Sequence, residues 1–253
     1  MLKLIWNNFK RTNNNIILAT PMVLFMFITV LYSGFIVTHA KTVNLALFSF
    51  VTLLIMVCSF LAGWLYMVKK TLQLNGRVFV YEQDRTNALK NLMMTLPNGV
   101  GRLFLPFLGY VTISMFITVF IYYVTIDIIP PSQLQKLADL LLFPNYISAL
   151  IFIITSILSF FGMLWVPEIV YNEKNPIKAL GNSILKTYKT FPKTLFLYIY
   201  IYLIYFGTNF SLQLVAPNPL ILFALLVVYY YFILYIVILV FTYYEQTFLK
   251  KED

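Results

Sequence analysis

Six stretches of this chain run for twenty or more residues with at most one charge: residues 16–37, 43–68, 103–126, 146–169, 194–214 and 219–244. A bilayer core about 30 Å thick takes roughly 20 apolar residues per helix, so each run is long enough to cross. With 61% apolar residues and a mean hydropathy of +0.84, the chain carries more apolar surface than a soluble domain can bury. The runs are continuous rather than alternating, so in hydrocarbon only helices satisfy their backbone. The expected fold is all-α: a polytopic membrane helix bundle with six transmembrane helices, forming one integral membrane domain over residues 1–253. The first run is long for a signal peptide and Thr38-His39-Ala40 is a poor cleavage site, so it is read as an uncleaved span.

Charge sets the orientation. Sixteen of the eighteen lysines and arginines fall before the first span, between the second and third, between the fourth and fifth, or after the sixth; only Lys41 and Lys136 fall on the other side. The positive-inside rule then places both termini in the cytoplasm, in a cell (inner or plasma) membrane. The net charge of +9 hugs the ends of apolar helices rather than forming a free basic domain. Its expected partner is anionic lipid headgroup, with a cytoplasmic or membrane protein as a further candidate, and not nucleic acid.

The two internal basic loops resemble each other. Residues 80–91 (VYEQDRTNALKN) align with residues 171–182 (YNEKNPIKALGN), matching Glu82 with Glu173, Ala88-Leu89 with Ala179-Leu180, and Asn91 with Asn182. Each copy follows one span and precedes the next in the same sense, which predicts a parallel internal repeat of units 43–126 and 146–214, flanked by spans 16–37 and 219–244. Each copy is expected to form an amphipathic interfacial helix. In the second, Asn175-Pro176 is an N-cap followed by proline at the first helical position. Ile177, Leu180, Ile184 and Tyr188 share one face, and Lys178, Lys186 and Lys189 another, as candidate headgroup contacts. In the first, Asp84 takes the N-cap place and Pro97-Asn98-Gly99 reads as a turn into the third span. Outside, leucines 134–141 suggest a surface helix, and Ala216-Pro217-Asn218-Pro219 a tight turn.

Chemistry is sparse. His39 is the sole histidine and Cys58 the sole cysteine, so His-based metal clusters, Ser-His-Asp triads and internal disulfides are excluded by count. No glycine-rich phosphate loop or paired catalytic carboxylates appear, so no catalytic residue, metal or cofactor is nominated and the chain is read as a non-enzyme. Glu82 and Glu173 fit neutralisation of nearby cations or of helix N-termini, or contact with a partner. Glu168, beside hydrocarbon, needs a partner, hydration or an escape to the interface. Tyr198, Tyr202, Tyr205 and Asn209 form a polar stripe on the fifth span, expected to face the bundle or a wet cleft, with Tyr229, Tyr230, Tyr231 and Tyr235 as an opposing wall.

The segment VPEIVYNEKNPIKALGNSILKTYKTFPKTLFLYI resembles a group of bacterial inner-membrane proteins typified by the YciC-like family and by the membrane domain of some glycerophosphodiester phosphodiesterases. The pattern rests on Pro167, Glu173, Ala179-Leu180, Ser183 and Lys186. The resemblance implies a helical membrane fold and little about activity. Two function classes follow: a non-enzymatic scaffold or lipid-interacting membrane protein, and a small permease or transporter subunit for a lipid or other amphipathic molecule.

Overall fold

The computed structural model describes residues 1–39, 42–73, 82–127, 146–214 and 219–249. Among these the chain is helical: α1 (Leu2–Asn14), a 3-10 turn (Ile16–Leu18), α2 (Ala19–His39), α3 (Val43–Gln73), α4 (Glu82–Asp127), α5 (Tyr146–Gly162), α6 (Trp165–Tyr171), α7 (Pro176–Lys189), α8 (Phe191–Leu214) and α9 (Pro219–Tyr244). A π-helical turn, Glu245–Leu249, ends it. Five segments among the described residues are long and apolar enough to cross a membrane: Ile16–Ile36, Val43–Gln73, Lys90–Tyr123, Ile151–Tyr171 and Leu225–Leu249. The fifth expected span falls on a helix, α8, which is not among those five; its tyrosines and Lys193 dilute its apolar character. The predicted outer helix at 134–141 and the turn at 216–218 lie outside the described residues.

Burial is concentrated at one end. Leu18, the Ala62–Val68 segment of α3, Leu92, Leu103 and Phe107 of α4, α6, and Leu234, Ile238 and Phe241 of α9 make one continuous core. Away from that end the helices present large apolar side chains outward, among them Val43, Leu47, Phe48, Phe116, Val119 and Phe120. Such a surface suits lipid, against which apolar side chains lose nothing.

The closest helix crossing explains a correction. Pro97-Asn98-Gly99 is no turn: α4 runs through it unbroken for 46 residues. Proline removes the N–H that would bond the Met93 carbonyl, but the helix around it keeps its other bonds. Gly99 is there for α3. A Cβ on it would sit 2.7 Å from Tyr66 Cβ and 2.9 Å from the Ala62 carbonyl, and one on Gly63 would meet Leu96 at 2.9 Å. Nor is Asp84 an N-cap, since α4 already begins at Glu82. The two modules are therefore built differently: the first is the opening of a span, the second a separate helix.

Candidate functional site

Pro167 creates the second module. It has no N–H for the Met163 carbonyl, and its ring crowds that carbonyl, so the fourth span breaks at Met163-Leu164 and restarts as α6. The freed groups find partners on α7. Ser183 Oγ donates to the Phe161 carbonyl at 2.9 Å, and Trp165 Nε1 donates to the Pro176 carbonyl at 2.8 Å. At the other end of α6, Lys69 Nζ donates to the Val170 carbonyl at 2.7 Å and lies 4.7 Å above the Tyr171 ring. Asn172 and Glu173 both donate their N–H to the Glu168 carbonyl, and the chain turns into α7. There Asn175 Oδ1 accepts from Ile177 N and Lys178 N, at 3.0 and 3.2 Å, with Pro176 at the first helical position, as the dipeptide predicts.

This fold-back buries Glu168, which is only 2% exposed. It does not reach the interface. Lys186 Nζ of α7 donates to Glu168 Oε2 at 2.5 Å, Asn182 Nδ2 donates to Oε1 at 3.2 Å, and the Tyr244 hydroxyl of α9 donates a very short bond to Oε2. Tyr244 oxygen in turn accepts from Lys186 Nζ and from Asn172 Nδ2, each at 2.6 Å. Lys186 also sits 4.7 Å over the Tyr244 ring. The carboxylate thus receives three donors from two other helices. The π turn widens the end of α9 and brings the neighbouring Glu245 to Tyr171, whose hydroxyl donates to Oε1 at 2.6 Å. An ion pair with this many hydrogen bonds, at the end of a bundle, holds α6, α7 and α9 in one arrangement; it presents no free acid or base.

The other nominated residues scatter. Lys186, expected among headgroups, turns inward instead, because the break at Pro167 aims Glu168 at it. Lys178 and Lys189 remain exposed on α7. Glu173 stays local, its Oε1 accepting from Asn175 N at 3.0 Å. The side chains of Glu82 and Asn209 lie outside the described residues. Tyr198 faces α5, donating to the Ser156 carbonyl at 2.9 Å with Ser159 Oγ 2.6 Å away, and the Tyr202 ring packs on Phe152. Tyr205 is exposed. Tyr235 of α9 meets Tyr200, off the nominated stripe, at 3.0 Å.

An element that sequence reasoning missed is α1. Asn8 and Thr12, and Asn15 just after the helix, are buried, whereas Trp6 is 64% exposed and Phe9 sets its ring edge against Tyr231 and Tyr235. Asn8 Nδ2 donates to the Tyr235 carbonyl at 3.2 Å, and the Tyr231 hydroxyl donates to Asn13 Oδ1 at 2.6 Å. Helix α7 repeats this inversion. It buries Ala179, Ser183 and Thr187 and exposes Ile177, Ile184, Leu185 and Tyr188, the last at 74%. Both helices pack beside the C-terminal end of α9.

No family model matches this chain, and no curated protein or solved structure matches it either.

Proposed function

We propose that this chain is a non-enzymatic, lipid-interacting scaffold of the bacterial inner membrane, with six spans, both termini in the cytoplasm, and its two modules descended from a parallel repeat. The observation that carries the reading is the inside-out burial of α1 and α7 at one end of the bundle. A surface helix in water buries its large apolar residues; the fully buried residues of these two helices are small or polar, while Trp6, Ile177, Ile184 and Tyr188 are exposed. Lysines 3, 10, 178 and 189 stand among those side chains. Aromatic and aliphatic side chains edged by lysine suit the boundary between headgroups and acyl chains, where each cation adds roughly 1 kcal/mol of attraction to an anionic leaflet. The YciC-like resemblance is compatible with this role and adds no substrate.

The test uses a bimane probe on Ile184→Cys in a Cys58→Ser background, in nanodiscs containing lipid brominated high on the acyl chain. Strong quenching is expected at position 184 and weak quenching at Lys174→Cys. A probe at 184 that bromolipid leaves bright and aqueous iodide quenches would replace lipid with a protein partner.

One observation favours the permease reading. A groove of about 480 Å³ opens sideways between α4 and α5, lined by Ser114, Thr118, Thr155 and Ser159 amid apolar residues, and ends at Leu180 and Ile184 of α7. That lining suits an amphipathic molecule entering from lipid. Protein-dependent movement of a fluorescent lipid between leaflets of proteoliposomes, lost on Ser114→Leu with Thr155→Leu, would establish it over the scaffold.

A further inference from the structure

We propose that the cleft between α4 and the start of α7 binds the phosphate of a single membrane phospholipid, with Arg102 and Lys174 as its donors. The inference rests on the interfacial reading of α7 given above and names a ligand for it.

The cleft has a volume of about 710 Å³. Val100, Gly101, Arg102, Phe104, Leu105 and Pro106 of α4 form one wall; Lys174, Asn175 and Pro176 form the other. The two cations come from segments far apart in sequence and converge on one space. Arg102 is the last charged residue before the uncharged run 103–126, which puts it at the edge of hydrocarbon, where a lipid phosphate resides. Its guanidinium is held rather than free: one N–H donates to the Tyr66 hydroxyl at 3.2 Å and the group lies 5.9 Å from that ring. The remaining N–H donors of its planar fork are those that suit phosphate. Below it, on the hydrocarbon side, the wall is Phe104, Leu105 and Pro106, with Leu105 73% exposed, so a glycerol and the first methylenes of an acyl chain find apolar contact.

Two glycines shape the space in opposite ways. A Cβ on Gly109 would come 2.6 Å from Pro176 Cγ, so this residue fixes how closely α7 approaches α4. Gly101 lines the cleft, and a Cβ on it would meet nothing within 4 Å. The start of α7 is not itself the anion donor, since Asn175 already occupies the N–H groups of Ile177 and Lys178. The neighbouring carboxylate, Glu173, accepts from Asn175 N. That leaves the two cations as the donors and the apolar wall as the reason the phosphate is a lipid's rather than a free ion's.

Gly101→Met tests the site without removing any charge, its Cβ entering open space. Wild type, Gly101→Met, and Arg102→Gln with Lys174→Gln are purified intact, and bound lipid is counted by native mass spectrometry against phosphatidylglycerol, diacylglycerol and inorganic phosphate. Wild type should retain one phosphatidylglycerol that both variants bind about tenfold more weakly or worse, and should not retain diacylglycerol. Unchanged melting midpoints establish that the variants are folded. Equal retention by all three proteins overturns the proposal, and displacement of the lipid by millimolar inorganic phosphate assigns the cleft to free phosphate instead. Bimane quenching at position 184 reports on α7 alone, so failure of the interfacial reading and failure of this site are separately visible.

Discussion

Where α3 meets α4, contact is made by taking side chains away: Gly63 and Gly99 let two backbones approach until a single methyl group would collide. Where α6 meets α7, contact is made by adding charge, with Glu168 and Lys186 paired at 2.5 Å and capped by Asn182 and Tyr244. The first junction is tolerant of chemistry and intolerant of volume, because dispersion contacts between small residues have no preferred partner. The second is the reverse. A buried ion pair is weak evidence for stability, since the desolvation of both ions offsets their attraction, but its geometry is satisfied in one arrangement only. One half of the molecule is thus held by fit and the other by pairing.

The most severe way to break that contrast is to leave one ion alone. Lys186→Met should destabilise the protein by about 3–5 kcal/mol, because an uncompensated carboxylate stays in the core. Adding Glu168→Leu to it should recover most of the loss; SDS-titration unfolding measures both, and a double variant no better than the single one would mean the two residues do not act as a pair. Next in size is Gly99→Ala, expected to cost about 1–3 kcal/mol by overpacking against the α3 backbone. Gly101→Ala, two residues on in open space, should be neutral or stabilising by up to about 1 kcal/mol through helix propensity. Equal effects at the two glycines in a thermal-shift series would remove the close crossing as an explanation. Smallest is the difference between the modules' first turns. Asn175→Ala should cost about 1 kcal/mol with the loss of its cap. Asp84→Ala, already inside α4, should cost a few tenths through the helix dipole alone. Matching losses at the two positions, read by hydrogen exchange of the following amides, would restore the equivalence of the modules that the helix boundaries deny.

The long helices were legible because hydropathy over twenty residues is a property of the sequence alone. So was the start of α7, where Asn175 and Pro176 act on their own neighbours. Glu168 stood out as costly, yet its partner did not: Lys186 is 18 residues away, and the fold-back that joins them depends on how far Pro167 turns the chain. Pro97-Asn98-Gly99 misled for a different reason. In water that triplet exposes backbone cheaply; beside lipid a helix keeps its hydrogen bonds, and the glycine serves a neighbour that local pattern does not name. Helix α1 was missed because its polar residues, normally a sign of solvent, are the ones that pack.

The partner of α1 is the last long helix of the chain, and Asn8 reaches Tyr235 across 227 residues of sequence. At about 5–20 residues per second, synthesis of the intervening chain takes roughly 11–45 s, during which α1 has no docking surface. On the proposed interfacial reading, α1 therefore waits at the bilayer surface until α9 is made, and the arrival of α9 docks it. A nascent chain stalled before α9 should show α1 open to proteolysis, and synthesis through α9 should protect it.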